Sequence, residues 1–341
     1  MATARRLGIG DVVPPVRLVD LDGQPAPLQS QDNAGRMLVL LLCRRADAGA
    51  LPALHALADC QPALAEVEAQ SLAISGSNAA ANRALAEQHA PPFALFADGP
   101  DDLLGRFGAG DAAMFVVLDA GARVAGLFSG GAREAAAKVV ALCRSLYSAS
   151  PAEPATPHAP VLLVPQIFDA LFCHQLVQLW QRGEKRTNET SRGAPGDPDY
   201  QARRDSDVKR RSDVLIPEGD NAINLEIRDR FLRRVVPNIQ SAFQTKVRSY
   251  EVARIGCYDA SSGGYFRAHR DDVGDPAMPR RFAMSVNLND DFDGGGLRFP
   301  EFGRRFYRPE PGTGVVFSCS LLHEALPVTR GRRFGLFTFF R

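Results

Sequence analysis

The stretch 148–160, SASPAEPATPHAP, divides the chain. Proline recurs at positions 151, 154, 157 and 160. Each proline removes a backbone donor and fixes φ, so neither a helix nor a sheet ladder can run through the stretch. A length of 341 residues favours two domains over one. The expected organisation is therefore a domain over 1–147, a Pro/Ala-rich linker over 148–160, and a second domain over 161–341. The hydrophobic pattern differs on the two sides of the linker.

Before it, continuous apolar runs alternate with helical spacing. LVLLLC (38–43) and SLAISG (71–76) read as strands buried on both faces. The stretch 50–70 and ANRALAEQH (81–89) have helical spacing, and Pro91-Pro92 stops the second. FALFAD gives a further strand, and MFVVLDAGARVAGLFSG gives a hairpin whose turn, 120–123, contains Gly121. REAAAKVVALCRSLY closes as an amphipathic helix. The expected product is a mixed sheet flanked by helices, an α/β domain.

GDVVPPVRLVDLDGQP, LVLLLC, FALFADGPDDLLGRFGA and FVVLDAGARVAGLFSG together resemble the peroxiredoxin branch of the thioredoxin fold, over roughly residues 7–147. In that family the peroxide-reducing cysteine opens the helix after the first buried strand, where the helix N-terminus and a nearby arginine stabilise its thiolate. Here that stretch is RRADAGALPAL (44–54), with no cysteine. Cys43 comes too early and Cys60 too late, and both read as small buried apolar residues. The resemblance implies a peroxiredoxin-type scaffold without its chemistry, suited to docking, homodimerisation or presentation of a protein partner.

After the linker, VLLV (161–164) reads as a strand, and Phe172, Leu176, Leu179 and Trp180 mark one face of a helix. Residues 184–213 are strongly polar and read as a long surface loop, with Lys209-Arg210-Arg211 as a solvated face. Residues 222–244 read as a helix pair broken near Pro237. From Ser249 the period becomes two, with glycine-bearing turns that include Gly294, Gly295 and Gly296. This is the pattern of a double-stranded β-helix, or jelly roll, with helices packed outside it.

Within that region His269 and Asp271 stand two apart, so a strand would carry both on one face. A second imidazole, His323, lies on a later strand. Two histidines and one carboxylate leave three positions of an octahedral ion open, the facial triad of non-haem iron(II) oxygenases. Arg333, ten positions after His323, is placed to grip a distant carboxylate with its planar fork, and its neighbour Arg332 should point the other way.

The region 158–341 resembles the prolyl 4-hydroxylase-like branch of the 2-oxoglutarate/iron(II) dioxygenases. The resemblance rests on Arg254-x-x-x-Tyr258, Gly264-Tyr265-x-x-x-His269-x-Asp271, Leu288-Asn289-Asp290-Asp291-Phe292-x-Gly294-Gly295, and His323-x-x-x-Pro327-Val328-x-x-Gly331-x-Arg333. It implies that His269, Asp271 and His323 hold Fe(II) and that Arg333 binds 2-oxoglutarate. It also implies that Tyr258 and Asn287 contact this cosubstrate, with O2 consumed and ascorbate as a supporting reductant. The implied reaction hydroxylates a C–H bond of a prolyl, peptidyl or small-molecule substrate and yields succinate and CO2. Tyr265 reads as a packing residue and Asp272 as a solvated carboxylate.

A formal net charge of +1 gives no strong field toward nucleic acid or membrane. The charge is uneven, with 12 basic and 16 acidic residues before position 161, and 28 and 23 after it. No apolar run approaches the roughly 20 residues of a membrane span. Six scattered cysteines without a CxxC pair read as reduced thiols, which points to the cytoplasm. Two other readings stand beside the oxygenase: a thiol-dependent peroxidase using Cys43 or Cys60, and a redoxin-like scaffold that recruits a partner.

Overall fold

The structure, a computed structural model, describes residues 6–147, 158–187, 189–192, 201–204, 206–272 and 280–341. The chain divides into two compact units, Met1–Ala152 and Glu153–Arg341. Of the expected linker, 148–157 lies outside the described residues.

The first unit is built on β3 (Leu38–Cys43), whose six residues are all buried. It pairs in parallel with β4 (Gln70–Ser75) and antiparallel with β6 (Met114–Leu118). Its alternate side chains enter two cores. Val39, Leu41 and Cys43 face α1 (Leu51–Asp59) and α5 (Ala132–Leu146), while Leu38, Leu40 and Leu42 face Leu103 and Phe107 of α4 (Leu103–Phe107). With β1 (Arg17–Val19), β2 (Pro25–Pro27), β5 (Ala94–Ala97) and β7 (Val124–Ser129), the sheet runs β2-β1-β5-β4-β3-β6-β7. Helices α2 (Gln61–Ala65) and α3 (Ala79–His89) complete the α/β unit. The helical stretch expected over 50–70 is split at Cys60, because Pro62 opens a new helix. In the hairpin turn the left-handed residue is Ala122, φ 58°, not Gly121. Asp119 holds this turn by accepting from the amides of Gly121 and Arg123.

The second unit pairs two antiparallel sheets. The larger contains β8 (Leu162–Val164), β9 (Arg186–Thr187), β13 (Ser212–Leu215), β14 (Arg254–Asp259), β16 (Phe282–Asn287), β20 (Gly314–Ser318) and β23 (Arg332–Phe340), in the order β8-β20-β16-β23-β14-β13-β9. The smaller contains β12 (Lys209–Arg210), β15 (Tyr265–His269), β18 (Leu297–Arg298), β19 (Phe306–Tyr307) and β21 (His323–Ala325), in the order β12-β15-β21-β18-β19. Two short ribbons, β10 (Glu189–Arg192) with β11 (Gln201–Arg204) and β17 (Asp293–Gly294) with β22 (Val328–Arg330), stand apart from both sheets.

Along β23 the side chains alternate as a strand requires. Phe334, Leu336 and Phe340 pack outward on α6 (Ala170–Arg182), α7 (Ala222–Arg230) and α8 (Val236–Phe243). Phe337 and, beside it, Phe339 pack inward toward the smaller sheet. Arg333 shares that inward parity.

Two expectations change. Residues 184–213 carry β9 to β13 rather than a structureless loop, although 188, 193–200 and 205 lie outside the described residues. The helix pair is not broken at Pro237. A widened turn, Phe231–Val235, joins α7 to α8 and places Pro237 in the first turn of α8. The missing proline donor costs least there, and Asn238 Nδ2 donates to the Arg234 carbonyl at 2.7 Å.

Entry into α6 depends on Gly312, whose carbonyl accepts from Phe168 N and whose φ is 80°. A Cβ there would collide with the Phe168 carbonyl. At Gly219, φ 92°, a Cβ would meet nothing. Urea denaturation should therefore show Gly312→Ala destabilised by about 3 kcal/mol or more, and Gly219→Ala by about 1 kcal/mol.

Candidate metal centre

His269 ends β15 and His323 begins β21, and the register sets them directly opposite each other. Their ring centroids are 4.2 Å apart. Asp271, just beyond β15, is anchored by its amide on the Cys319 carbonyl at 2.8 Å. Its carboxylate reaches both imidazoles, with His269 Nε2 at 3.6 Å and His323 Nε2 at 3.2 Å. One ligand atom from each residue lies within 4.8 Å of the other two.

The proton positions follow from the other ring nitrogens. His269 Nδ1 lies 2.8 Å from the Arg267 carbonyl, and His323 Nδ1 lies 3.0 Å from the Leu321 carbonyl. A carbonyl only accepts, so each Nδ1 carries its hydrogen and each ring turns Nε2 toward Asp271, the nitrogen that bears the lone pair in the Nδ1–H tautomer. Burial, and next the charge of His323, push the His269 pKa down to about 4 against the pull of Asp271. His269 is therefore neutral at physiological pH, as metal ligation requires. Burial works to raise Asp271, but contact with His323 and the positive charge that the two imidazoles carry when protonated overcome it and hold its carboxyl below the usual range. Phe266 stacks on His269 at 3.6 Å, and the Phe317 ring lies 4.6 Å from His323. Two lone pairs and an anionic oxygen turned toward one another make a donor set that suits a divalent cation.

The intervening Arg270 turns outward to Glu301, 2.7 Å away. Glu301 also accepts from Leu322 N at 3.1 Å, so one ion pair ties the residue before Asp271 to the residue before His323. Asp272 is exposed. Tyr265 donates its hydroxyl to the carbonyl of Ser206 or Asp207 at the surface. Arg332 is exposed and pairs with Asp259, opposite in direction to Arg333.

Arg333 is 3% exposed. Its guanidinium donates to Asn287 Oδ1 from Nε and Nη2 (3.2 and 3.0 Å), to Ser285 Oγ from Nη2 (3.2 Å) and to the Gly295 carbonyl from Nη1 (2.7 Å). All of these acceptors are neutral, and among the described residues no carboxylate pairs with it. Burial therefore disfavours its charge, and the nearby Arg211 and Arg308 add to the effect. The four bonds leave one Nη1 hydrogen of the five a guanidinium has. The two-pronged face expected to be open is already partly occupied by Asn287 and Ser285. Asn287 is committed at both ends, since its Nδ2 donates to the Pro309 carbonyl at 2.7 Å. It thus orients Arg333 through Oδ1 and keeps the second of its two Nδ2 hydrogens. Tyr258, 2% exposed, sits opposite Arg333 in the β14–β23 register, with the guanidinium 5.6 Å from its ring.

The basic run is not a solvated face. Lys209 and Arg211 are 2% and 7% exposed. Both bond Asp213: Arg211 through Nε (2.5 Å) and Nη2 (2.9 Å), and Lys209 through Nζ (2.9 Å). Burial and then Arg211 push the Lys209 pKa down to about 8, with Asp213 opposing. Only Arg210 is exposed as expected. The signal was present as charges at i, i+2 and i+4, which a strand turns to one face. Gly256 makes room for the cluster, because a Cβ there would lie 2.7 Å from Asp213 Oδ1 and 2.8 Å from Arg211 Cδ.

In the first unit, Cys43 is buried, and that burial, then Asp47, push its thiol up to about 12. Burial also raises Cys60. Helix α1 begins at Ala50 without a side-chain cap and without a cysteine in its first turn. Neither thiol has the environment of a nucleophilic thiolate. No helix among the described residues is long and apolar enough to cross a membrane.

No protein-family model and no curated protein matches the chain. Solved structures similar to it include both kinds of protein that the sequence resembles. The peroxidoxin BcpB of Mycobacterium tuberculosis is 22% identical over 42% of this chain and 100% of its own, with a TM-score of 0.38. A Pseudomonas putida prolyl-4-hydroxylase is 20% identical over 54% of this chain and 92% of its own, with a TM-score of 0.40. A Trichoplax adhaerens prolyl hydroxylase, solved with a hypoxia inducible factor peptide fragment, is 15% identical over 53% and 82%, with a TM-score of 0.41.

The Lys209–Arg211–Asp213 cluster makes stability depend on pH. Burial works to raise the Asp213 pKa, but Arg211 and Lys209 more than offset it and bring it down to about 2. A depressed carboxyl pKa stabilises the fold above the unfolded value near 4, and this is lost as pH falls from about 4 toward 2. Asp213→Asn should cost about 3 kcal/mol in urea unfolding at pH 7, because two buried cations lose their counter-charge. The gap between variant and native protein should narrow as pH drops from about 5 to 3.

Proposed function

We propose that the second unit is an iron(II)- and 2-oxoglutarate-dependent dioxygenase with a jelly-roll core, a hydroxylase of a prolyl, other peptidyl or small-molecule C–H bond. The observation that carries this reading is the convergence of two imidazole lone pairs and one carboxylate oxygen within 4.8 Å. Beside it stands a buried guanidinium that has only neutral acceptors among the described residues. The first group suits a divalent metal, and the second suits an anion.

His269, Asp271 and His323 would hold the iron, which when bound supplies the oxygen-activating chemistry coupled to decarboxylation of 2-oxoglutarate. The chain's own part is positioning. The Nδ1 bonds to the Arg267 and Leu321 carbonyls fix both imidazole planes, and the Arg270–Glu301 pair fixes the backbone between the ligands. Arg333 meets the far carboxylate with its remaining Nη1 hydrogen. Ser285 Oγ already accepts from Arg333, so its own hydrogen is a second donor. The aromatic walls Phe266 and Phe317 exclude water from the imidazoles. The first unit, with no activated thiol, serves as a scaffold that docks a partner or presents a substrate.

Full-length protein given iron(II), ascorbate and 2-oxoglutarate in air should release succinate. His269→Ala or His323→Ala should lower that release by about 100-fold or more. Arg333→Met should raise the KM for 2-oxoglutarate by about 10- to 100-fold, with a smaller change in kcat. Succinate release that survives loss of either histidine would remove the assignment.

A further inference from the structure

The buried guanidinium of Arg211 constrains how the neighbouring Tyr258 can hydrogen-bond. Arg211 Nη1 donates to Tyr258 Oη at 3.1 Å. Its guanidinium is locked in that direction by the two bonds to Asp213 and by lying 4.3 Å above the Phe337 ring. A guanidinium has hydrogens and no acceptor, so the phenol oxygen can only receive at this contact. Tyr258 has one hydroxyl hydrogen, and it must go elsewhere. No described residue accepts it, and the side chain is 2% exposed. On the same inner face, directly across the β14–β23 register, stands Arg333.

We propose that Arg211 is a positioning residue that sets Tyr258 as a hydrogen-bond donor to the far carboxylate of the cosubstrate, and so makes the site select a 2-oxo diacid over a 2-oxo monoacid. The proposal rests on the dioxygenase reading above. Arg333 supplies charge and one hydrogen, because Asn287, Ser285 and Gly295 take the rest. A carboxylate has about four lone-pair positions to satisfy once it leaves water. The Tyr258 hydroxyl, with its polarity fixed by Arg211, answers one of them. If Arg211 is replaced by an apolar residue, the phenol is free to turn and can present its lone pairs to the carboxylate instead. Lys209 still neutralises Asp213 in that variant, so the buried charge stays balanced.

The single tryptophan stands on the outer face of the same sheet, behind this site. Trp180 Nε1 donates to the carbonyl of Ser212, next to Arg211, and its ring packs 5.1 Å from Phe334, next to Arg333. Its fluorescence can follow titration of the iron(II)-loaded full chain, without oxygen, with 2-oxoglutarate or with 2-oxobutanoate, which lacks the far carboxylate. Arg211→Met and Tyr258→Phe should each weaken 2-oxoglutarate binding about tenfold. The double variant should be no weaker than either single one, because both remove the same bond. Binding of 2-oxobutanoate should stay within about twofold of native in all three. Tyr258→Phe removes only a hydroxyl, so it decides the matter even if Arg211→Met folds poorly. An unchanged 2-oxoglutarate affinity in Tyr258→Phe overturns the proposal. So do multiplicative losses in the double variant, or equal losses for both ligands. In each of those cases the dioxygenase reading still stands. A native protein that binds neither iron(II) nor 2-oxoglutarate overturns that reading, and the proposal with it.

Discussion

Positive charge inside a β-sandwich is the constraint around which the second unit is arranged. Removing a guanidinium from water is costly unless a counter-charge or a full set of acceptors replaces the solvent. Among the described residues of this unit three guanidiniums, Arg211, Arg230 and Arg333, and one ammonium, Lys209, are buried, and Arg230 is answered by Asp169 and Glu226. The chain answers them unequally. Arg211 and Lys209 share the carboxylate of Asp213. Among the described residues Arg333 receives only an amide oxygen, a hydroxyl and a backbone carbonyl. Asp213 balances the first pair internally, while the charge of Arg333 is disfavoured by its burial.

The candidate metal ligands His269, Asp271 and His323 gather at the smaller sheet. Antiparallel pairing sets His269 against His323, and a register shift between Phe266 and His269 carries the chain on to Asp271. In both histidines the carbonyl two residues earlier takes the Nδ1 hydrogen. The same local device thus aims both lone pairs, and its cost is small because each carbonyl belongs to the ligand's own strand segment. Between the sheets, Phe266 stacks on His269 and also lies beneath Lys209 and Arg211. The metal-ligating group and the cationic cluster therefore share an aromatic wall, and Arg211 is near enough to add to the depression of the His269 pKa.

What could be read from sequence follows from how local each signal is. The buried strand β3 was legible because six consecutive apolar residues leave no solvent face. The grouping of His269, Asp271 and His323 was legible because a spacing of two is a statement about one strand, and the distal histidine came with its motif. Arg333 was legible by its distance from His323, but its partners were not. Asn287, Ser285 and Gly295 come from other strands and a turn, so only the register reveals that they occupy most of its hydrogens. Lys209 and Arg211 were misread because a run of three cations in a polar stretch has the composition of a surface. Their alternation with Asp213 carried the opposite message. The helix break at Pro237 was misplaced for a related reason: proline forbids one hydrogen bond, and a widened turn just before it removes the need for that bond.

The same electrostatic logic accounts for the contrast in reactive groups between the two units. A cysteine becomes a nucleophile when nearby positive charge or a helix start lowers its pKa. In the first unit the strand that precedes α1 ends in Cys43, a thiol sealed in an apolar core with Asp47 as its charged neighbour, and both raise its pKa. The helix start itself offers leucine, proline and alanine. In the second unit the cysteines Cys173, Cys257 and Cys319 are likewise buried and raised. Burial thus raises the thiol of each of the six cysteines. Gly256 and Gly295 leave the backbone bare enough for the long cationic side chains of Arg211 and Arg333 to lie against it. A side chain at Gly256 would press on the Arg211–Asp213 pair, and one at Gly295 would press on Arg333, so two glycines on different strands and turns set the room available to the charges on which the site depends.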